Sequence, residues 1–326
     1  MLEQSTEGNY QQTFEFGEVM RRAIPRTRVL RLMALKNGQP VGVVQATYRS
    51  RWGFGGNLQV GGISGGAPLV CANTEEERAF IVRALLKSLE EHAVKRRILR
   101  ARVYWTEDWG LGEVFQQLGY TLRSDVNAFI VDLPREPEEL WRRISHNFRR
   151  KVKQARKAGV EVVEAKSREN LPAFYRLVKE AGERHGFNPP PLTEFEAVWE
   201  IFRPKGRAWI FLAEWNGKPV AGVQVIAHRK TLQATSAGSL KEAWRARPND
   251  YLHWKVMEWA CQQGFSYYHL GGALSPGLIR WKKQFRGRQV KVCKYDKVLL
   301  PRLERTLGRM YGALATARNA LKRVLR

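Results

Sequence analysis

RLMALKNGQPVGVVQATY, residues 31–48, and IFLAEWNGKPVAGVQVIAH, residues 210–228, follow one plan. Each is an apolar strand, an Asn-Gly turn (Asn37 and Gly38; Asn216 and Gly217), a proline two residues on (Pro40; Pro219) and a Val-rich strand holding a glutamine (Gln45; Gln224). Asn-Gly suits a tight hairpin because both central residues of a type I′ turn need positive φ. One such hairpin is commonplace. The same turn with the same flanks 179 residues later predicts two copies of one fold.

Each hairpin leads into a helix and a further strand. In the first copy the helix spans about 74 to 95, rich in Leu, Ala and Glu; the strand is ILRARVYW (98–105), and a second helix ends at Gly119 and Tyr120. In the second copy a helix from about 251 to 263 precedes the strand YYHL (267–270). Between the copies, LPREPEELW (133–141) offers two prolines and then acids at a helix N-terminus, the favoured sign for the helix dipole, and the boundary falls there. Hairpin, helix, strand is the α+β order of the acetyltransferase-like GNAT fold, which the chain resembles twice over. The expectation is an α/β protein of two tandem GNAT-like domains, 1–135 and 136–300. The second opens on a basic linker helix, and a basic amphipathic helix follows over 301–326. A chain of 326 residues with 44% hydrophobic content suits two domains of ~160 residues and is too apolar for disorder.

The formal charge is +25, from 56 Lys and Arg against 31 Asp and Glu, so a polyanionic partner is the first class to consider: nucleic acid, nucleotide phosphate or anionic lipid. The excess is concentrated. Residues 142–157 hold eight basic residues and no acid, and residues 276–326 hold fifteen Lys or Arg against Asp296 and Glu304. Together they carry 21 of the 25 net charges. A single run is often a solvated helix face; two that hold nearly the whole excess read as binding surfaces.

Cys71, Cys261 and Cys293 are far apart with no C-x-x-C, which argues against a disulfide framework or a zinc site and suits a reducing cytoplasm. The opening MLEQSTEGNYQQ has neither a basic n-region nor an apolar h-region, and no stretch approaches ~18 uninterrupted apolar residues, so neither a signal peptide nor a membrane span is expected. None of the six histidines has metal or triad spacing.

Acetyltransferases of the GNAT superfamily grip the CoA pyrophosphate with a Q/R-x-x-G-x-G/A loop between the hairpin and the next helix, where backbone N–H groups cradle phosphate. The second copy has SAGSLKEAWRARPNDY there, which does not match. The one formal match, Arg203 to Ala208, precedes the hairpin, and QVGGISGG (59–66) in the first copy misses with Ser64 in the last slot. The pattern disfavours CoA.

Two GNAT-like halves, a missing CoA loop and heavy basic charge together resemble the Fem (FemABX) family of aminoacyl-tRNA-dependent transferases, which build peptidoglycan cross-bridges. QTFEFGEV (12–19) is similar to the family's opening, with Met20 in place of its usual Lys and Arg21 and Arg22 adjacent. GGAPLV (65–70) is similar to an Arg-Gly-Pro segment but lacks the Arg. DLPREPEELWRRISHNFRRKVKQARKAGVEV (132–162) matches an Arg-rich linker helix followed by a Gly-Val strand start. YYHLGGALSPGLIRWKKQFRG (267–287) matches a signature of a Gly-Gly turn followed by Phe-Lys-x-Gly-Phe. Here that core reads Trp281, Lys282, Lys283, Gln284, Phe285: the aromatic-Lys pair is kept and Gln284 replaces a Gly.

The resemblance implies attack by a stem-peptide amine of a peptidoglycan precursor on the ester of aminoacyl-tRNA. That ester is already activated, so the protein has to position both substrates and stabilise the oxyanion, with no covalent nucleophile, cofactor or metal. Lys282 falls where the signature places a Lys, for the oxyanion or the terminal ribose; its plain alternative is one more phosphate-binding Lys. Trp281 would be a stacking platform for the terminal adenosine, or simply core. Asp108, in YWTEDWG, matches an acid-containing loop at a strand end and would take the amine proton, with Glu107 its rival. Arg184, in GERHGF, resembles an Arg that meets precursor phosphates, and Arg21 is a further substrate-binding candidate.

For tRNA the candidates are Arg149, Arg150, Lys153 and Lys157, on or near one helix face, with Lys283 and Arg286. The acceptor would be a muramyl-peptide nucleotide or a lipid-linked precursor. In the last helix Leu303, Leu307, Met310, Leu314, Ala317, Leu321 and Val324 recur at spacings of four and three, a stripe that either packs on the body or rests on anionic lipid at the inner face of the membrane. Two other functions remain open: a CoA-dependent N-acyltransferase in envelope polysaccharide synthesis, and a non-catalytic nucleic-acid-binding protein with degenerate GNAT domains.

Overall fold

Both Asn-Gly turns take the positive φ that the hairpins need: 51° and 77° at Asn37 and Gly38, 53° and 70° at Asn216 and Gly217. The computed structural model describes residues 9–49, 55–62, 65–66, 68–106, 111–307 and 309–310. The first hairpin joins β1 (Thr27–Lys36) to β2 (Gln39–Arg49), and the second joins β8 (Ala208–Trp215) to β9 (Lys218–His228). Both ladders slip at the same place. Ala34 pairs with Gly42 but Leu35 with Pro40, and Ala213 pairs with Ala221 but Glu214 with Pro219. Proline brings no N–H to a ladder, and a one-residue bulge absorbs the defect in each copy.

The order after each hairpin is also repeated. A third strand, β3 (Asn57–Val60) or β10 (Thr231–Ser239), is followed by a helix, α2 (Glu75–Lys95) or α8 (Pro248–Gln262). A strand parallel to the third then completes the motif: β5 (Arg100–Thr106) or β11 (Tyr267–Ala273). The short β4 (Leu69–Val70) pairs with β2 alone. Thr74 caps α2, its hydroxyl accepting from Glu77 N at 3.1 Å, and three acids fill the first turn where the dipole favours them.

All the strands join one sheet, in the order β1-β2-β3-β5-β12-β6-β11-β10-β9-β8-β7, where β6 is Thr121–Asp132, β7 is Glu161–Glu164 and β12 is Arg288–Val298. The centre of that order is an exchange. β12, last in the chain, lies between β5 and β6, while β6 lies between β12 and β11. The unit expected over 136–300 therefore lends its final strand to the sheet of the first. Phe115, on α3 (Gly112–Gln117), stacks on Tyr295 of β12 at 4.7 Å between ring centres.

The linker that reads as one helix is two, α4 (Pro137–Arg143) and α5 (His146–Lys157). Ile144 is extended, with ψ of 156°, and the Ser145 hydroxyl caps α5 by accepting from Phe148 N at 3.2 Å. In the second half, β8 shows strand periodicity in its packing. Ile210 and Leu212 meet Phe174 and Leu177 of α6 (Leu171–His185), while Phe211 and Ala213 meet Val256 and Met257 of α8. Covered on both faces, β9 is buried from Val220 to its end, whereas Met33 and Leu35 of the edge strand β1 are exposed. α1 (Phe14–Ala23) ties the halves from outside the sheet, packing Val19 and Ala23 on Ala197 and Val198 of α7 (Leu192–Ile201).

Of the C-terminal stripe, Leu303 and Leu307 are half-buried and Met310 is exposed, with Glu304 paired to Arg100. Leu314, Ala317, Leu321 and Val324 lie outside the described residues. Among the described residues no helix is long and apolar enough to cross a membrane.

The strand exchange makes unfolding of the two halves one event. Phe115→Ala, which removes the ring stacked on β12, should lower stability by about 3–5 kcal/mol. Tryptophan fluorescence and far-ultraviolet circular dichroism should still report a single coincident transition. Two separate transitions would show that β12 does not couple the halves.

Candidate functional site

The Gly-Gly signature folds as a strand that breaks and a helix that returns to it. β10 and β11 pair in parallel only from Thr231 to Gln233 against Tyr267 to His269, then part. The β11–β6 register shifts between His269 and Gly272, and Gly271 has φ of +74°, so the Gly-Gly pair is a bulge. Leu274 follows, Ser275 caps α9 (Pro276–Lys283) by accepting from Leu278 N at 3.2 Å, and the helix runs back along the bulge.

Lys282 closes the arrangement. Its Nζ donates to three successive carbonyls of the bulge, Leu270 O at 2.6 Å, Gly271 O at 2.9 Å and Gly272 O at 2.8 Å. The residue is 4% exposed, and burial pushes its ammonium down to about 7. Three acceptors are satisfied together only by the protonated form, which has three N–H groups. Beside it, His269 Nδ1 accepts from Gly271 N at 3.0 Å, and His253 shares a 2.9 Å hydrogen bond with the Tyr268 hydroxyl. Burial first, then the Lys282 charge, pushes His269 down to about 4 and His253 to about 3, so both rings are neutral near pH 7.

Trp281 is half-buried in the wall of this site. Its Nε1 donates to Asp250 Oδ1 at 3.0 Å, and its ring meets His253 and Phe285 edge-on. Burial raises the Asp250 carboxyl, while Lys151 at 3.9 Å and the Trp281 N–H pull the other way. Arg184, at the end of α6, reaches the far end of β10, where Nη2 donates to Ser239 O at 3.0 Å and the guanidinium lies 5.0 Å from the Trp244 ring. Lys282 and Arg184 thus stand at the C-terminal ends of a parallel pair as it opens, the usual binding edge of such sheets.

The two basic runs meet here. Gln284, in the place of the signature's Gly, accepts at Oε1 from Asn147 Nδ2 at 3.0 Å and Lys151 Nζ at 2.9 Å, and its carbonyl accepts from Ser145 N at 3.0 Å. Phe285 packs on Phe148 at 4.4 Å. The end of α9 is thereby fixed to the start of α5. On α5, Phe148, Val152 and Ala155 face inward, and Arg150, Lys153 and Lys157 are exposed on the opposite arc with Arg149 half-buried at its margin. Lys283 and Arg286 are exposed beside the junction. Part of the second run pairs with acids instead: Lys297, partly buried, with Glu90 at 2.6 Å and Lys291, exposed, with Asp125 at 3.9 Å.

Arg21 is exposed and pairs with Glu18 at 2.7 Å, whereas Met20 next to it lines a small cavity against α7. Asp108 and Glu107 lie outside the described residues. Trp105 and Leu111, on either side of that stretch, line a cavity of about 690 Å³ with Glu113, Asp125 and Lys291. Ser64 is also outside the described residues, while Gly61 is packed so tightly on Gly65 and Gly66 that an added Cβ would come within 2.4 Å of Gly65 O. Gly62 and Gly65 also exchange backbone hydrogen bonds, so the described glycines of this stretch close on one another. Among the described residues no group of three or more His, Cys, Asp or Glu could hold a metal ion.

Lys151 and Asp250 escaped the sequence reading, though Lys151 carried a signal: three residues from Phe148 and four from Ala155, it borders the apolar stripe rather than the charged arc. Asp250, an acid in the first turn of α8, reads as an ordinary dipole partner.

Residues 142–283 match the acetyltransferase (GNAT) domain family. The lipid II:glycine glycyltransferase of Staphylococcus epidermidis is 34% identical over 93 residues, 28% of this chain and 22% of that protein. The enzyme of the same name from Staphylococcus saprophyticus is 39% identical over 72 residues, 22% of this chain and 17% of its own. The chain therefore matches only about a fifth of the length of these relatives. Among solved structures, FemX superposes with a TM-score of 0.73 at 16% identity, covering 94% of this chain and 96% of its own. A tandem GNAT protein from the clavulanic acid biosynthesis pathway gives 0.61 at 13% identity, covering 87% of each chain. These likenesses establish the fold as tandem GNAT.

Two substitutions test the bulge. Gly271→Ala forces a side chain into left-handed backbone and should lower stability by roughly 1–2 kcal/mol. Lys282→Met strips three carbonyls of their donor and should lower it by at least ~1–3 kcal/mol. In the wild type the folded Lys282 releases its proton at about 7 and the unfolded one near 10.5, so the unfolded state holds more protons between them and stability should rise with pH across that window. Denaturant titrations at a series of pH values should show that rise flattened in Lys282→Met; an unchanged profile would place the proton elsewhere.

Proposed function

We propose that this chain, a Fem-type tandem GNAT protein, moves an amino acid from aminoacyl-tRNA to the stem-peptide amine of a peptidoglycan precursor, forming an interpeptide bridge. The observation that carries the reading is the place of Lys282: a buried ammonium at the opening of the parallel strands, beside the junction where the two basic runs meet. Relationship to the glycyltransferases supplies the reaction class.

The reaction needs little covalent help from the protein. The amine attacks the ester carbonyl, the C–N bond forms, the C–O bond to the ribose breaks, and the amine proton passes to a nearby acceptor while the ribose hydroxyl is restored. A fixed cation at the strand ends stabilises the oxyanion through its field, and Lys282 donates to it directly when one carbonyl of the bulge gives way. Asp108 is the candidate proton acceptor and Arg184 the candidate phosphate contact at the end of β10. Trp281, held by Asp250, shapes the wall on which the terminal adenosine rests. Arg149, Arg150, Lys153, Lys157, Lys283 and Arg286 track the tRNA backbone, and Arg21 stands at the outer rim for the acceptor. The acceptor is a muramyl-peptide nucleotide or a lipid-linked precursor, and the C-terminal segment is the candidate membrane contact.

An assay offering charged tRNA, acetyl-CoA and each acceptor tests the reading. Transfer should depend on tRNA and be abolished by ribonuclease; transfer from acetyl-CoA alone, or RNA binding with no transfer, would overturn it. Lys282→Ala should lower turnover by about 10²–10³, and near-wild-type turnover would remove the oxyanion role. The doubly substituted Arg150→Ala, Lys153→Ala protein should bind tRNA more weakly, with the slope of log K against log salt reduced by about 2. An unchanged slope would take α5 off the tRNA path.

A further inference from the structure

In the second half, the segment that takes the place of a pyrophosphate loop has a pattern of its own. Between β10 and α8 the chain reads LKEAWRAR (240–247), and Lys241–Ala246 form a 3₁₀ turn. Lys241, Trp244, Arg245 and Arg247 are exposed there, against one acid, Glu242. A Q/R-x-x-G-x-G/A loop offers backbone N–H groups to phosphate. This segment offers an indole among cations.

The indole is held in place. Trp244 is 40% exposed, yet its Nε1 donates to Ser239 Oγ at 3.1 Å, and the Arg184 guanidinium lies 5.0 Å from the ring centre. Ser239 Oγ also accepts from Asn249 Nδ2 at 2.8 Å, and the next residue, Asp250, holds Trp281. The two indoles are thus tied to consecutive residues at the start of α8. The turn is fastened to α5 as well. Arg245 O accepts from Gln154 Nε2 at 3.0 Å, and the Arg245 guanidinium lies 5.2 Å from the ring of Trp215, whose Nε1 donates to Ala158 O at the end of α5 at 2.9 Å. The turn therefore bridges the outward arc of α5 and the wall formed by Trp281.

A lone exposed indole is ordinary surface. One whose edge is pinned and whose chain neighbours are cations has the make-up of a stacking platform, because every base has a π-face and the phosphates beside it need positive charge. We propose that Trp244 stacks a base of the unpaired 3′ end of the donor RNA, one that precedes the terminal adenosine, while Arg245 and Arg247 meet the flanking phosphates. A nucleotide acceptor also carries a base, but the bridge to α5 favours the donor, whose backbone that arc is placed to track. The choice of RNA rests on the function proposed above; the platform itself rests on the turn.

Binding is measured with uncharged tRNA, with the same tRNA trimmed of its unpaired 3′ nucleotides, and with the muramyl-pentapeptide nucleotide alone. Trp244→Ala should weaken binding of intact tRNA about 5- to 150-fold and leave the other two unchanged, and Trp244→Phe should recover most of the loss. The salt dependence separates the partners: Trp244→Ala should keep the slope of log K against log salt, whereas the doubly substituted Arg245→Ala, Arg247→Ala protein should lower it by about 1.4, at ~0.7 for each single-strand phosphate. Unchanged affinity of Trp244→Ala for intact tRNA, an equal loss on both tRNAs, or a loss that falls on the muramyl nucleotide would overturn the platform. The expected pattern in a protein that transfers no amino acid would leave the platform standing and remove only the reaction, and a wild type that binds neither tRNA would remove both.

Discussion

The ammonium of Lys282 on the carbonyls of Leu270, Gly271 and Gly272 is the interaction from which the rest of the second half is arranged. A strand that bulges turns carbonyls out of its ladder, and in a buried setting each unpaired group costs about 1–3 kcal/mol. A single side chain with three donors answers all three at once. With the bulge secured, β11 can leave β10 after three paired residues and continue against β6, where Gly272 meets Ala128. The same bonds dock α9, whose end delivers the chain to β12. At that corner Gly287 lies so close to β6 that a Cβ would come within 2.4 Å of Ile130 O. The opening between the strands, the position of Trp281 and the strand exchange therefore share one cause.

Much of this was legible in the chain. The paired hairpins announced the duplication, and even their bulges follow from Pro40 and Pro219, residues visible in the repeat. The helix expected from about 74 to 95 is α2, and the aromatic-Lys signature falls at the end of α9, beside the bulge. The exchanged strand was not legible, for a physical reason. RQVKVCKYDKV alternates charge with apolar residues and sits inside a basic run, so it reads as surface. Its charges are answered only in three dimensions, Asp296 by a two-pronged contact with Arg102, Lys297 by Glu90 and Lys291 by Asp125.

The charge excess divides accordingly. Lys151 and Lys297 are partly buried against acids and Lys291 meets Asp125 at the surface, whereas Arg150, Lys153, Lys157, Lys283 and Arg286 are exposed. Gln284 decides the geometry of the outward group. A glycine there could not reach both Asn147 and Lys151, so the substitution that departs from the Fem signature is also the one that fastens the two basic segments into a single surface. A continuous basic surface engages several phosphates at once, which gives affinity without sequence selectivity and suits a donor recognised by its backbone.

Lys282 stands in the bulge without a counter-ion among the described residues. Its three partners are neutral carbonyls, and burial works against its charged form. The three carbonyls need all three of its N–H groups, so the bulge favours the protonated Lys282 against that desolvation. A cation at the strand ends suits the charge that develops when an ester is attacked. One sheet spans both halves, so the bulge that holds Lys282 and the outward arc of α5 keep a fixed relation through the junction of α9 with α5.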